Sequence, residues 1–395
     1  MAEADFPDSL IHTSQYNYFS VILFSEAPLT FLGGGERLIK LLYNHLLNSN
    51  FHVKIVENTK VQKSVPPTAQ YDEMNIIGNQ FKRFGLIKFL EQDFPSLELI
   101  PTSKNCVSLI FLRRVPPRSV LLKLAQSNSK IIFCLHGIAL EKLRITNPLI
   151  IAHQLLTRAK LRDLGRYTRN YIFIQSILPY LTSYLTSNGA DPNNVFTIEN
   201  EFESSTEFPI RNDQDFQVTF IGRMDNLQKG IRRLRKVAQI INRYDYKIRF
   251  NFIGTGKNIE LLNGLGKNVK VYNGIDDESK NKIISSSNLG IVTSNLEPFS
   301  IATLEFLTSG VPVITTPASG PSYILSKDSS FGEVVSFNPK SLVIGILKYY
   351  KEWESNKALY FTRRKSLLLK ARSKFKSINM LDSYKKLIIL IAKMK

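Results

Sequence analysis

QVTFIGRMDNLQKGIRRLRKVAQII, residues 217–241, decides the fold. An apolar run, QVTFIG (217–222), ends in glycine. A short polar turn follows, and then an amphipathic segment in which Arg232, Arg233, Arg235 and Lys236 fit an exposed helix face. Strand, turn, helix is the repeating unit of an α/β domain, and the unit recurs on both sides of this stretch. Towards the C-terminus, strands are expected at RFNFIG (249–254), VKVYNG (269–274), LGIVTS (289–294), VPVITT (311–316) and GEVVSF (332–337). Towards the N-terminus they are expected at FSVILFS (19–25), HVKIVE (52–57), MNIIG (74–78), SLIFLR (108–113), KIIFCLH (130–136), YIFIQS (171–176) and VFTIE (195–199). Near-continuous apolar runs alternating with helical segments indicate parallel sheets covered on both faces. Two such series predict two doubly wound α/β domains. The polar stretch ENEFESSTEFPIRNDQD (199–215) separates them, and helices close the chain at KSLVIGILKYYKEWE and DSYKKLIILIAKMK.

The bulk numbers fit this picture. The chain has 395 residues, 43% of them hydrophobic and 22% charged, enough for two domains that each bury a core. Its two cysteines, Cys106 and Cys134, exclude a disulfide framework. The N-terminus lacks the basic and apolar regions of a signal peptide, and no run reaches the roughly 18 apolar residues of a membrane span. The net charge is +19, a surface that attracts polyanions: nucleic acid, anionic lipid or phosphorylated substrates. Charge alone does not choose among them.

In doubly wound sheets ligands bind beyond the carboxyl ends of the strands, so the strand-end stretches carry the functional information. After the first strand, Gly33, Gly34 and Gly35 precede an amphipathic helix; either they admit a close-lying anion or they form a flexible turn. After QVTFIG, Arg223 and Lys229 are placed to grip a diphosphate, or are solvated surface charges. After LGIVTS comes NLEPFSIATLEFLTSGVPVITT. Pro298 keeps Glu297 out of a helix, Ser300 is the expected N-cap, and a helix is expected from Ile301 to about Thr308, with Glu305 in its second turn. Such a segment offers amide donors to an anion and carboxylates to hydroxyls, which a sugar nucleotide combines. The alternatives are an ordinary helix with an exposed glutamate, or the carboxylate pair of a glycosidase, which leaves the cations and glycines without a role.

Taken in order, these stretches resemble the retaining GT-B glycosyltransferases of glycosyltransferase family 4. GGGER looks like the family's N-terminal glycine loop, FIGRMDNLQKGI its Gly-Arg…Lys-Gly segment, NFIGTG and VKVYNGI its next strand ends, and EPFSIATLEFLTSGVPVITT its Glu–seven residues–Glu motif. LHG (135–137), QSILPYLTSYLTSNGADPNNVFTIEN (175–200) and FKSINMLDSYKKL (375–387) match more loosely. The resemblance implies a GT-B fold: two Rossmann-like doubly wound parallel-sheet domains facing across a cleft. An acceptor-binding domain would cover 18–205 after a tail at 1–17. A nucleotide-sugar-binding domain would cover 206–365, and a basic helix at 366–395 would pack back on the first domain.

The resemblance also assigns roles. Arg223 and Lys229 would hold the donor diphosphate, with Gly222 at the strand end. Glu305 would bind the nucleotide ribose. Glu297 would lie by the sugar hydroxyls, with the Phe299 and Ser300 amides nearby. Gly34 and Gly35 would bring their loop against the phosphates, and His136 would lie near the transferred sugar. The alternative for His136 is a satisfied histidine at a strand end. Ser300 and Ser319 stand where the family has glycine, Glu201 where it has the glycine of Asn-Gly, and Tyr323 where it has glutamate.

The implied reaction moves a hexose from a nucleotide diphosphate sugar to a glycolipid, lipid-linked oligosaccharide or polysaccharide, with retention of configuration. No cofactor is expected beyond the donor substrate, and no metal, because no ligand cluster or DxD is present at a strand end. Basic segments at 141–170 and 363–395, the latter with eleven Lys/Arg and one Asp, suit an anionic membrane surface or are solvated helix faces. A cytoplasmic protein, peripheral on the cytoplasmic face of the membrane, is expected. The rival readings are a basic nucleic-acid-binding module, for which no reading motif is present, and a non-catalytic relative acting as a partner subunit.

Overall fold

The structure is a computed structural model, and it describes residues 20–25, 29, 34–57, 106–112, 115–116, 118–125, 129–141, 148–168, 172–202, 214–244 and 246–394. The strand expected at 74–78, the N-terminal tail and Gly33 lie outside them.

Contacts divide the chain into two units, one of Met1–Leu140, Arg144–Glu199 and Ile378–Lys395, the other of Glu141–Leu143 and Asn200–Ser377. In the first unit the described elements are β1 (Ser20–Ser25), α1 (Gly34–Asn48), β2 (His52–Glu57), β3 (Cys106–Phe111), α2 (Arg118–Ala125), β4 (Lys130–Cys134), α3 (Pro148–Arg166), β5 (Ile172–Ser176), α4 (Pro179–Ser187) and β6 (Val195–Thr197). The strands pair in parallel in the order β2-β1-β3-β4-β5-β6. β3, β4 and β5 are buried at every residue, because helices cover both faces. Two apolar clusters result, one containing Phe24, Ile110, Phe133 and Ile174, the other Leu23, Leu109, Ile132 and Phe173.

The second unit contains β7 (Phe216–Ile221), α5 (Asn226–Lys229), α6 (Ile231–Ile241), β8 (Ile248–Ile253), β9 (Val269–Tyr272), α7 (Asp277–Ser286), β10 (Leu289–Val292), α8 (Ile301–Leu307), β11 (Val313–Thr315), α9 (Ser319–Leu325), β12 (Gly332–Val334), α10 (Pro339–Ser355) and α11 (Lys357–Lys374). Its sheet is also wholly parallel, ordered β12-β11-β10-β7-β8-β9. The sheet grows one way from β7 through β8 and β9, and the other way from β10 through β11 and β12. The order reverses between β7 and β10, and beyond their carboxyl ends lies the crevice where such sheets bind ligands. On the core face Phe216, Val218, Phe220, Phe250 and Phe252 pack with Ile231, Leu234, Val237 and Ile241 of α6 and Leu342, Ile346 and Trp353 of α10. The helical spacing of those α6 residues is what makes it amphipathic.

Residues 366–395, expected as one basic helix, hold the end of α11 and all of α12 (Ser377–Lys393). The chain breaks at Phe375, whose φ of −119° and ψ of 58° are not helical. α12 buries Met380, Leu381, Tyr384, Leu387, Ile388 and Ile391 in the cluster of Leu23 and Leu109, so it belongs to the first unit. Among the described residues no helix is long and apolar enough to cross a membrane.

Candidate active site

The candidate site of the second unit gathers at the reversal between β7 and β10. β7 leads through Gly222 into Arg223, which is exposed and whose guanidinium donates to Gln228 Oε1. Asp225 caps α5 by accepting from Gln228 N at 3.0 Å. This single turn presents Lys229 and ends at Gly230. With φ 69°, Gly230 lies in the left-handed region, and a Cβ there would meet Thr293 O at 2.3 Å. The glycine therefore lets α5 close down on the loop after β10. Thr293 Oγ1 donates to Lys229 O at 2.7 Å, and Asn295 N to Gln228 O at 2.7 Å, which fixes the two loops together.

Both glutamates of the motif are buried, and both are paired. Glu297 Oε2 receives the Lys229 ammonium and Ser294 Oγ, the latter at 2.9 Å. Glu305 Oε1 receives Lys280 Nζ, from α7, at 2.8 Å. Burying a carboxylate is costly unless it is paired and hydrogen-bonded, and each has such a partner. The resemblance implied substrate roles for both glutamates; the structure adds that each is already held by a lysine. Lys280, which also bonds Asp277 Oδ1 at 2.8 Å, was missed by the sequence reading.

Ser300 caps α8, its hydroxyl accepting from Thr303 N at 3.3 Å and from Thr303 Oγ1 at 2.9 Å. It does so at φ 86° and ψ 78°, a left-handed conformation that favours glycine. Phe299 before it is buried. Its backbone is crowded by α9, where a Cβ on Gly320 would lie 2.4 Å from Phe299 Cα. Gly320 N donates to Glu297 O at 3.0 Å.

Two further groups hold these loops. Arg233 was expected on an exposed face. Instead its guanidinium is largely buried and donates to Phe337 O (2.7 Å), Thr293 O (2.6 Å) and Asn295 Oδ1 (2.9 Å), with burial lowering its pKa to about 10. The three acceptors supply what solvent does for its neighbours. Glu141, in the short segment that groups with this unit, is buried and accepts from Glu297 N (3.1 Å), Ser319 N (2.9 Å) and Ser319 Oγ (2.9 Å). Burial raises its carboxyl to about 7 despite those donors. Ser319, one of the departures from the family pattern, therefore supplies a hydroxyl to a buried carboxylate.

In the first unit, Gly34 opens α1 and is exposed. Among the described residues, a Cβ on Gly35 would meet nothing within 4 Å. His136 follows β4, and its peptide segment is pinned on both sides: Leu135 N donates to Gln175 O at 2.9 Å and Gly137 N to Leu112 O at 2.9 Å. Its Nε2 lies 2.7 Å from Tyr384 Oη of α12, and burial lowers its pKa to about 4.

The structure thus pairs Lys229 with Glu297, and places Arg223, Gly222, Phe299 and Ser300 on the two loops that carry them. Glu305 lies farther along α8, and Gly34, Gly35 and His136 belong to the other unit. Among the described residues no group of three or more His, Cys, Asp or Glu is placed to hold a metal ion. A separate recess of about 200 Å³, lined by residues including Gln217, Arg249, Asn251, Lys270 and Tyr272, involves none of the site residues.

Residues 202–365 match the family of glycosyl transferases group 1. The segment contains Arg223, Lys229, Glu297 and Glu305. Sucrose-phosphate synthase from Thermosynechococcus elongatus superposes with a TM-score of 0.72 at 16% identity, over 94% of this chain and 98% of that one. The fold is GT-B. The same architecture is seen in WaaG, a glycosyltransferase involved in lipopolysaccharide biosynthesis (TM-score 0.63, 14% identity, 94% of this chain and 99% of that one). Anabaena HepE, solved with UDP and glucose, also shares it (TM-score 0.59, 14% identity, 93% and 98%). In sequence, an uncharacterized glycosyltransferase of Methanocaldococcus jannaschii is 25% identical over 148 residues, which is 36% of this chain and 37% of that relative. The match therefore spans little more than a third of the curated relative's length.

Proposed function

We propose that this protein is a glycosyltransferase that moves a hexose from a nucleotide diphosphate sugar to a glycan or lipid-linked acceptor, with retention of configuration and without a metal. The observation that carries the reading is the Lys229–Glu297 pair, on the same loops as Arg223, where the second sheet reverses its order, inside the segment that matches glycosyl transferases group 1. Glycosyl transfer builds negative charge on the departing diphosphate, and fixed cations aimed at it are the main catalytic lever. In this reading Arg223, exposed and forked, captures the diphosphate. Lys229, oriented by Glu297, neutralises the leaving group as the bond breaks. Glu297 and the amides of Phe299 and Ser300 orient the sugar, and Glu305, oriented by Lys280, binds the ribose. In the first unit Gly34 and Gly35 admit close approach of an anion, and His136 contacts the sugar. The leaving phosphate takes the acceptor proton, so no protein base is assigned.

For the acceptor we propose a lipid-linked glycan at an anionic membrane surface. α3 exposes Leu155 and Leu156 beside exposed Lys160, Arg162 and Arg166, which suits an interfacial helix. The membrane face is taken to be the cytoplasmic one.

The test is a screen of nucleotide sugars for release of the nucleoside diphosphate, with and without membrane lipid extract, beginning with UDP-sugars. Release that is lost in Arg223→Ala supports the reading. Thermal stabilisation by oligonucleotides alone, abolished by salt, supports a nucleic-acid module instead. Nucleotide binding with no release from any sugar supports a non-catalytic subunit.

A further inference from the structure

His136 sits in a hydrogen-bond chain whose proton order follows from its far end. Gln175 Nε2 donates to Ser176 O at 2.7 Å and to Ile198 O at 2.9 Å. Two carbonyl acceptors fix the orientation of this amide, since a flipped amide would set its oxygen against both. Gln175 Oε1 is therefore the acceptor for Tyr384 Oη, 2.9 Å away. A phenol has a single proton, and here it is committed to Gln175. Across the 2.7 Å contact between Tyr384 Oη and His136 Nε2, the tyrosine oxygen accepts and the imidazole donates. Nε2 thus carries the proton of the neutral ring, and Nδ1 is a bare lone pair.

That lone pair is the unexplained group. Nδ1 is buried and makes no hydrogen bond among the described residues. The ring cannot readily turn to find one, because it lies against Phe111, with centroids 5.3 Å apart, and is stacked with Tyr384 at 6.4 Å. A second ring proton is disfavoured by burial, which lowers the His136 pKa to about 4. The other titratable groups of the cluster, Cys134 and Tyr384, are both pushed upward by burial and stay uncharged.

We propose that Tyr384 and Gln175 hold His136 as the neutral Nε2–H tautomer, so that Nδ1 is an acceptor reserved for an O–H group of the ligand. Tyr384 is in this sense a positioning residue acting from the terminal helix, which gives FKSINMLDSYKKL a part in the chemistry. A bare nitrogen accepts from a hydroxyl and has nothing to offer a phosphate or carboxylate oxygen. It therefore pairs with a hydrogen-bond donor and not with an anion. That the hydroxyl belongs to a sugar rests on the function proposed above; the tautomer does not.

The experiment is long-range ¹H–¹⁵N correlation on the full chain labelled at histidine, with the His136 signals identified by their loss in His136→Gln. The expected result is an unprotonated shift at Nδ1 and a protonated one at Nε2, unchanged between pH 8 and pH 5.5. Tyr384→Phe keeps the ring but removes the acceptor, and should move both shifts towards the average of two tautomers. Gln175→Leu frees the tyrosine proton to point at His136 and should invert the pattern. This second variant keeps the proposal open to refutation if Tyr384→Phe does not fold. An Nδ1–H tautomer in the wild type, or shifts indifferent to both substitutions, would overturn it. The nucleotide sugar that stabilises the protein, with UDP-glucose tried first, should shift Nδ1 as it accepts a bond, whereas the free nucleotide should not. Bound sugar with Nδ1 unmoved would overturn the ligand half. A screen that finds no nucleotide sugar at all would count against the proposed function and leave the tautomer result standing.

Discussion

The two units treat the ionisable groups nearest their candidate site residues differently. In the first, the group beside the strand ends is discharged: His136 is neutral, its proton placed by Tyr384 and Gln175. In the second, the cations are kept and paired: Lys229 with Glu297, Lys280 with Glu305, and Arg233 with three oxygens, while burial raises the Glu141 carboxyl to about 7. Their sheets differ as well. β3, β4 and β5 are buried at every residue, whereas β7 carries the half-buried Gln217 and β8 the exposed Arg249. A neutral acceptor suits a hydroxyl, and fixed cations suit an anion, so the contrast predicts what each unit recognises.

The sharpest way to break the contrast is to discharge the second unit. Lys229→Met leaves Glu297 buried without its cation, and should cost roughly 3–5 kcal/mol of stability in that unit. On the proposed function it should also lower turnover by about 10²–10³-fold, as loss of a positioned charge-stabilising group does. Adding Glu297→Gln removes the stranded charge. The double variant should recover most of the stability, measured by denaturant titration, and none of the turnover. Recovery of turnover as well would mean that the pair is structural only.

Next in size is pH. The carboxyl of Glu141 is raised from 4.5 to about 7, chiefly by burial, so its contribution to stability is present at low pH and is lost as pH rises from about 4.5 through 7. His136 is lowered from 6.5 to about 4, so its contribution is present above 6.5 and is lost as pH falls towards 4. Each is worth about 3 kcal/mol at the far end of its window. Between about pH 4.5 and 6.5 the two oppose each other. Calorimetry on Glu141→Gln should therefore reveal stability rising with pH, and His136→Gln should reveal it falling. If the units melt separately, acidification should weaken the first transition and strengthen the second. Parallel movement of the two would remove the contrast.

These groups also mark where the sequence stopped being legible. The strand positions could be read because buried parallel strands require uninterrupted apolar runs. The loops that carry Gly222, Arg223, Lys229, Glu297 and Ser300 could be placed because strand-to-helix loops are local in sequence. What could not be read was partnership across long separations. Glu141 meets Glu297 and Ser319 from 156 and 178 positions away, and Tyr384 meets His136 from 248. Strand order is likewise a property of the folded sheet. Arg233 was misjudged for a different reason. In an arginine-rich helix, residues at neighbouring positions look alike until one is seen to reach backbone carbonyls. The fork is what matters there: Arg233→Lys keeps the charge but cannot reach three acceptors, and should cost about 1–3 kcal/mol, read as a lower melting point.

The smallest effect concerns Ser300, where the chain departs from the glycine that its motif resembles. At φ 86° a side chain is strained, and replacing it with glycine should gain about 1 kcal/mol before other terms. Against this, the hydroxyl caps α8 through Thr303, and glycine at an N-cap gives up only a few tenths of a kcal/mol relative to serine. The greater freedom of glycine in the unfolded chain offsets part of the gain. Ser300→Gly should therefore be neutral or stabilising by less than about 1 kcal/mol, whereas Ser300→Ala, which keeps the strain and loses the cap, should destabilise by about 1 kcal/mol. If both variants destabilise equally, the cap dominates and the left-handed conformation carries little strain. If glycine stabilises and nucleotide-sugar release is unchanged, serine is simply tolerated here. If glycine stabilises while release falls, the serine hydroxyl serves the substrate, and the strain is retained for that function.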